Sequence, residues 1–377
     1  MKFAFEKFDI VLARSLSKPG HIFHLSKPLQ SSLQLNCGNG TIAHDDIIGK
    51  NYRSLVVSSN DHKYIIVKPT LEEYIVNRRR EAQPIYSLDA ALIVQLSDIL
   101  VHHPQIKQTG SNWCGLESLQ APSRYKRLNL GDPFDNFLND KLQQNGSSVH
   151  SISLVERPKQ FLECGTGHGS LTLNILKAVH GANCYYDGVN DLTRGAILHS
   201  LDKNAKHLNV GMQNVKHYEK GILWPDVEFH LTNSPNDWLE GEDAKYYRER
   251  LAQSANRFLS GVFLDMPSPE LQLSKLSEAL YLDCPLIVFV PSITQIWDCL
   301  SFVKTNGVKL TLTKTYELTP GSGGGGMREW DLRRSLIRES GAEGIVMRPK
   351  VGTRVVGGGF VGVFRKLPND AIVKTWD

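Results

Sequence analysis

Two short segments hold residue types that could do chemistry. Glu163-Cys164-Gly165-Thr166-Gly167-His168-Gly169 places three glycines at alternate positions just behind a carboxylate. Glycines so spaced permit positive φ and let a ligand approach the backbone, and the helix start beyond them offers free N–H groups. Further along, Val262-Phe263-Leu264-Asp265-Met266-Pro267-Ser268-Pro269 is an apolar run ending in an acid and two prolines. In an open α/β sheet the carboxyl ends of strands line the ligand crevice, so Asp265 should point into it. The prolines stiffen the loop that carries it. The plain alternatives are a tight strand–helix connection for the glycines and a cap or turn residue for the aspartate.

The turn discriminates between ligands. Dinucleotide sites usually read G-x-G-x-x-G, and here the third glycine arrives one residue early. Glu163 would repel a pyrophosphate. S-adenosylmethionine has no phosphate, and its cationic amino-acid end suits a nearby acid. Asp187 is read as closing a strand over Asn183–Asp187, where a carboxylate could accept from both ribose hydroxyls; a loop acid is the alternative. Asn233, just past a strand ending at Leu231, could face the adenine edge or be an ordinary turn residue.

These segments need a scaffold, and the sequence patterning supplies one. Gln160–Cys164 reads as a buried strand and Ser170–Val179 as the helix after it. Further strands are expected at Val227–Leu231, Gly261–Asp265, Pro285–Val290, Lys309–Tyr316 and Gly359–Phe364, mostly separated by helical patterns. Such alternation predicts a mostly parallel sheet covered on both faces. Ahead of it, Phe8–Ala13, His21–Leu25, Leu55–Val57 and Tyr64–Val67 read as short strands of a small barrel or sandwich. Thr70, followed three residues later by Glu73, opens a capped helix. Helical spacing recurs from Ser87 to Val101. A polar stretch at 103–157 reads as an insertion with a short helix near Phe134–Leu142. The expected organisation is a small β domain over 1–80 and an α/β domain over 81–377 that contains the insertion.

Composition narrows the class without naming it. The 377 residues carry 43 Lys+Arg against 39 Asp+Glu, a formal charge of +4. That excess is too small to prove a nucleic-acid partner, although a pI near 8.6 permits one. No run approaches the roughly 18 apolar residues of a membrane span. The six cysteines form no CxxC pair, which argues against a zinc knuckle or a disulfide scaffold. No metal-ligand cluster is visible, so no metal is expected. The first thirty residues lack the continuous apolar segment of a secretory signal and the Arg-rich, acid-poor composition of an import presequence, so neither is expected there, while a short uncleaved address stays open.

Taken in order, the motifs resemble the catalytic-subunit family of tRNA (adenine-58, N1)-methyltransferases. His44-Asp45-Asp46-Ile47-Ile48-Gly49-Lys50 is similar to the family's N-terminal motif, and Gln83-Pro84-Ile85-Tyr86-Ser87-Leu88-Asp89 to its Tyr-x-x-Asp segment. Glu163 through Thr172 resembles its cofactor motif, and Leu264 through Pro269 its catalytic loop. Pro291-Ser292-Ile293-Thr294-Gln295 and Arg328-Glu329-Trp330 resemble two later signatures. Three features depart from the pattern: the long insertion, His168 in place of a small residue, and Asn233 where an acid is frequent.

The resemblance implies a Rossmann-like class I methyltransferase domain with a mostly parallel seven-stranded sheet behind a small N-terminal β-barrel-like domain. It implies transfer of a methyl group from S-adenosylmethionine to N1 of an adenine, with adenine 58 of tRNA the first target. Asp265 would be the catalytic acid and Tyr86 would pack against or orient the base. Glu163, Gly165, Thr166, Gly167, His168, Gly169, Ser170, Leu171, Asp187, Asn233 and Asp265 would bind the cofactor. Arg78, Arg79, Arg80 and Arg328 would bind RNA; the basic runs Arg124/Lys126/Arg127 and Arg333/Arg334 are further candidates. Partners implied are tRNA or a mitochondrial RNA, in a homo-tetramer or with an RNA-binding subunit, in the mitochondrion or the nucleus and cytoplasm. The alternatives left open are a noncatalytic RNA-binding subunit and an enzyme acting on mitochondrial rRNA.

Overall fold

In the computed structural model, residues 4–17, 23–99, 101–108, 132–145, 152–186, 193–252, 254, 256–320, 330–336, 340–349 and 357–373 are described. The helix from Ser170 to Val179 and the strands at Val227–Leu231 and Pro285–Val290 have the bounds expected from patterning. Thr70 accepts from the Glu73 amide while Glu73 reaches back to the Thr70 amide, closing the expected capping box on Leu71–Asn77. Such a cap is worth about 1 kcal/mol.

The large sheet has seven strands, numbered here in chain order: β1 Lys159–Cys164, β2 Ala196–Asp202, β3 Val227–Leu231, β4 Leu259–Leu264, β5 Pro285–Val290, β6 Leu310–Leu318 and β7 Gly359–Lys366. Their order across the sheet is β3-β2-β1-β4-β5-β7-β6. β2 with β3, β1 with β4, and β4 with β5 are parallel pairs; β7 runs antiparallel to β5 and to β6. β4 and β5 are almost continuous hydrophobic runs, as strands buried on both faces must be.

The expected strand at Asn183–Asp187 is not one. Asn183 ends a 3-10 helix, His180–Asn183, and Cys184 and Tyr185 form a turn. The Asn183 side chain explains this. Its Oδ1 accepts from the Gly195 and Ala196 amides at 2.8 and 2.9 Å, and its Nδ2 donates to Asp226 Oδ1 at 2.8 Å. A buried amide holding three backbone and side-chain partners works as a bracket that launches the next strand. That strand is β2, buried along its whole length.

Chain contacts divide the molecule into two compact units. One comprises 1–84, 101–158 and 166–231; the other comprises 85–100, 159–165 and 232–377. In the first, Phe23–Leu25, Leu12–Ser15, Lys63–Val67 and Ser54–Val57 form, in that order, an antiparallel sheet. Gln34–Asn36 and Thr41–Ala43 pair as a separate two-stranded hairpin. Val11, Leu29, Leu35, Ile42, Val56 and Ile66 share one buried core there. The first strand begins later than expected, at Leu12, because Phe8 takes a left-handed conformation, φ 70°, incompatible with a strand. The second unit contains β1, β4–β7 and the helix Ser87–Leu96.

Candidate cofactor turn and catalytic acid

β1 delivers the chain to Gly165 through a buried run in which Glu163 and Cys164 are themselves buried. Gly165 has φ 102°, and a Cβ built on it would lie 2.0 Å from the Asp265 carbonyl oxygen. The Asp265 amide donates to the Cys164 carbonyl at 2.9 Å. The acid-bearing loop is therefore seated directly on the first turn glycine, backbone on backbone. Only glycine permits that approach. Asp265 is half-buried; beyond it Pro267 and Ser268, φ 52°, bend the chain into the 3-10 helix Pro269–Gln272. Asp265 thus directly follows the last residue of the apolar strand Leu259–Leu264, with the two prolines in the turn beyond it.

Past the Gly165–Thr166 peptide bond, the turn is held by the end of β2. The Thr166 amide donates to the Leu201 carbonyl at 3.1 Å, and the Thr166 and Ser200 hydroxyls lie 2.7 Å apart. The Gly167 amide donates to Asp202 Oδ2 at 2.9 Å, while Asp202 Oδ1 accepts from the Asn204 amide at 2.8 Å. Gly169, φ 80°, caps the helix Ser170–Val179, and its α-carbon side faces Gly211 so closely that a Cβ would fall 3.0 Å from the Gly211 Cα. Ser170 and Leu171 are buried in the first turn of that helix.

His168 is a packing residue. It is 2% exposed, its carbonyl accepts from Asn214 Nδ2 at 2.8 Å, and its Nε2 lies 3.3 Å from the same nitrogen. Arg78 Nε donates to Asn214 Oδ1 at 2.8 Å, and the Tyr74 hydroxyl donates to the Asn214 carbonyl at 2.7 Å. One asparagine thus ties the cofactor turn to the helix Leu71–Asn77. Burial, with help from the Arg78 and Arg80 charges, pulls the His168 pKa down to about 4, so it is neutral at pH 7.

Comparison with known proteins agrees with this geometry. No family model matches the chain. A curated tRNA (adenine(58)-N(1))-methyltransferase TrmI of Thermus thermophilus is 23% identical over 318 residues, covering 84% of this chain and 82% of that protein. The protein of the same name from a second strain of that species matches over the same shares. A solved S-adenosylmethionine-dependent O-methyltransferase from Thermotoga maritima aligns with a TM-score of 0.58 at 14% identity, over 98% of this chain and 97% of that one. A solved tRNA (m1A58) methyltransferase from Aquifex aeolicus gives 0.53 at 16% identity, over 97% and 100%. The chain has the class I methyltransferase fold. The resemblance read from its motifs holds over most of its length.

Within that fold, the site residues sort by what the structure does with them. Gly165 and Asp265 are brought together, as are Thr166 and Gly167 with the end of β2. Tyr86 is buried and N-caps the helix Ser87–Leu96, and Asp89 within that helix accepts from the Gly358 amide at 3.3 Å. Asn233 is exposed in the turn after β3. Arg78 is occupied by Asn214, whereas Arg79 is largely exposed and pairs with Glu81. Arg333 and Arg334 sit on an exposed strand. Asp187, Arg328, Arg124, Lys126 and Arg127 lie outside the described residues.

Sequence reading missed Asp202, although the signal was present: Ala196-Ile197-Leu198-His199-Ser200-Leu201 is an apolar-rich run closed by an acid. His199 and Ser200 disguised it. The residues present fit S-adenosylmethionine. Gly165 is a place where a side chain would collide, and the Gly167 amide is already taken by a carboxylate, Asp202, rather than left open for a phosphate.

Proposed function

We propose that this chain transfers a methyl group from S-adenosylmethionine to N1 of an adenine in RNA, with adenine 58 of tRNA as its target. The observation that carries the reading is the seating of Asp265 on Gly165, which fixes a carboxylate loop to the first residue of the cofactor turn. The Thermus and Aquifex relatives bear the name of that activity and supply the substrate. Asp202 rather than Asp187 takes the ribose-binding position, because it ends β2 and already orients Gly167.

When bound, the cofactor supplies an electrophilic methyl on a sulfonium. Adenine N1 has an in-plane lone pair and needs no prior deprotonation, but methylation leaves the base cationic. The Asp265 carboxylate stabilises that developing charge, and its stiffened loop holds it without reorganisation. Tyr86 packs behind the base, which must leave its pairing to be reached. Arg79 and Arg80 follow the RNA backbone; Arg78 orders the turn through Asn214.

Assembly belongs to the same reading. Trp330–Leu336 and Glu343–Pro349 pair as an antiparallel ribbon, and Trp330, Leu332, Leu336, Ile345 and Met347 share one face of it. Each is more than half exposed. A face of that kind favours burial against a second chain, in a homo-tetramer or with an RNA-binding subunit.

The test is calorimetric titration of S-adenosylmethionine into the wild-type chain and Asp202→Ala, followed by mass spectrometry of tRNA incubated with each. The expected result is saturable binding weakened at least about tenfold in the variant, the loss of one or more hydrogen bonds to a charged group, and N1-methyladenine formed by the wild type. Absence of binding at millimolar cofactor would sink the enzyme reading. Binding without tRNA methylation would move the target to another RNA.

A further inference from the structure

At the end of the sheet away from Asp265, an open cavity of about 850 Å³ lies among Arg248, Arg257, Lys275, Lys309 and Lys366, with Glu240 and Glu278 its only carboxylates among the described residues. Its position is fixed by β4. Arg257 precedes Leu259, the first residue of that strand, and Asp265 follows Leu264, the last. A six-residue strand spans roughly 20 Å, so this cavity and the methyl-transfer acid are at opposite ends of it. The other walls come from the start of β6 and the end of β7, which meet at the Leu310–Lys366 pair.

Lys366 is the unusual residue here. It is 3% exposed, yet among the described residues its ammonium has no hydrogen-bond or salt-bridge partner, and it opens onto the cavity. A buried lysine is ordinarily paired. Instead its charged neighbours are mainly of its own sign: Arg257 and Lys309 push its pKa down along with burial, and only Glu278 opposes them. Arg257 likewise has no ion-pair partner among the described residues. Lys275 is neutralised by Glu240, and Lys309 spends one donor on the Ala371 carbonyl at 2.8 Å. The unspent charge is thus concentrated on Lys366 and Arg257, with Lys309 adjoining. Holding like charges together in a partly desolvated place is costly unless an anion completes the set.

We propose that this cavity binds a phosphate group, with Arg257, Lys309 and Lys366 as its cationic ligands. Arg257 supplies the planar fork that matches phosphate oxygens, and the lysines act as point charges. Asn256 and Asn306 add neutral donors at the rim. Among the described residues its walls offer cations and amides and no aromatic side chain, so the recognition they support is of phosphate oxygens. A phosphodiester of a bound RNA and a free phosphate or pyrophosphate share that chemistry. The site is independent of the methyl-transfer reading and would survive its failure.

The experiment is a titration of the full chain with inorganic pyrophosphate and, separately, with a short oligouridylate, at low salt and pH 7.5. The variants are Arg257→Gln and Lys366→Met, the second keeping the aliphatic stem. S-adenosylmethionine affinity and thermal midpoint are measured in parallel. Saturable pyrophosphate binding that weakens at least tenfold in Arg257→Gln, with cofactor affinity and thermal midpoint unchanged, supports the site. Lys366→Met should weaken it further. If oligouridylate binds, weakens with the same variants and is displaced by pyrophosphate, the source is the RNA backbone; if pyrophosphate alone binds, it is a small phosphate. Absence of binding by either probe, or equal binding in the wild type and Arg257→Gln, overturns the proposal.

Discussion

The cofactor turn and the Trp330–Pro349 ribbon treat their backbones and side chains in opposite ways. At the turn, every backbone direction is decided inside the chain: Gly165 is pressed against the Asp265 carbonyl, Gly167 is held by Asp202, and Gly169 abuts Gly211. In the ribbon, hydrogen bonds pair Trp330 through Leu336 with Pro349 back to Glu343, but the apolar face is turned outward. The first region buries its contacts within its own fold and the second leaves an apolar face exposed. The lesson is that the turn is built by close backbone approach, whereas the ribbon is built by strand pairing alone.

The comparison breaks most readily at Gly165. Gly165→Ala puts a methyl into the space of the Asp265 carbonyl at a φ that alanine rarely adopts, so one of the two loops must move. We expect loss of detectable methyl transfer, a cofactor affinity at least a hundredfold weaker, and a stability cost of several kcal/mol. Calorimetry and urea unfolding would measure these. An alanine variant with wild-type affinity would mean the two loops are not held as described.

Asp265→Ala is the next largest effect, and it separates chemistry from packing. The contact with Gly165 uses the Asp265 backbone, which alanine retains. The carboxylate should therefore matter to turnover and little to cofactor binding. We expect kcat to fall about a hundred- to a thousandfold, the scale of removing one preorganised electrostatic group, with cofactor Kd changed less than about threefold. Equal losses in both would assign the aspartate to binding.

The ribbon should respond in the opposite way. Leu332→Asp with Ile345→Asp places two charges on the apolar face while leaving the strand pairing intact. Light scattering after gel filtration should then show a smaller particle, with S-adenosylmethionine affinity within about twofold of wild type. An unchanged mass in both proteins would mean that this face is not where chains meet.

What was legible in the sequence follows the same division. Pro285–Val290, buried along nearly its whole length, announced itself as an apolar run, and Val227–Leu231, which alternates apolar residues with Glu228 and His230, was likewise read to the residue. The capping box at Thr70 and the glycine turn were also plain, because local chemistry alone dictates them. β2 was not, since His199 and Ser200 interrupt its apolar run and meet groups distant in sequence, Ser200 meeting Thr166 and His199 lying beside His230. For the same reason the second strand was expected over Asn183–Asp187 rather than over Ala196–Asp202, which ends in an acid of its own. His168 was read only as a departure from the family's pattern, in place of a small residue. Its partner, Asn214, lies on another helix, so no local pattern could have revealed that it is a tie.

That tie gives the smallest and most specific effect. His168 and His217 are both held near pKa 4, by burial first and then by the Arg78 charge. Released on unfolding, each returns toward 6.5. Between those values the unfolded chain binds more protons than the folded one, so stability is complete above about pH 6.5 and falls as the pH is lowered toward 4. The slope is at most about 1.4 kcal/mol per pH unit for each histidine. Over pH 6.5 to 5 most carboxylates are still ionised, so the histidines dominate. His168→Gln keeps a side chain able to meet Asn214 but removes the titrating ring. Urea unfolding of that variant should show a shallower loss of stability across this range than the wild type, by up to one histidine's share. Identical slopes would mean that His168 protonates without disturbing the turn, and the asparagine bridge between the cofactor loop and the Arg78 helix would have to be redrawn.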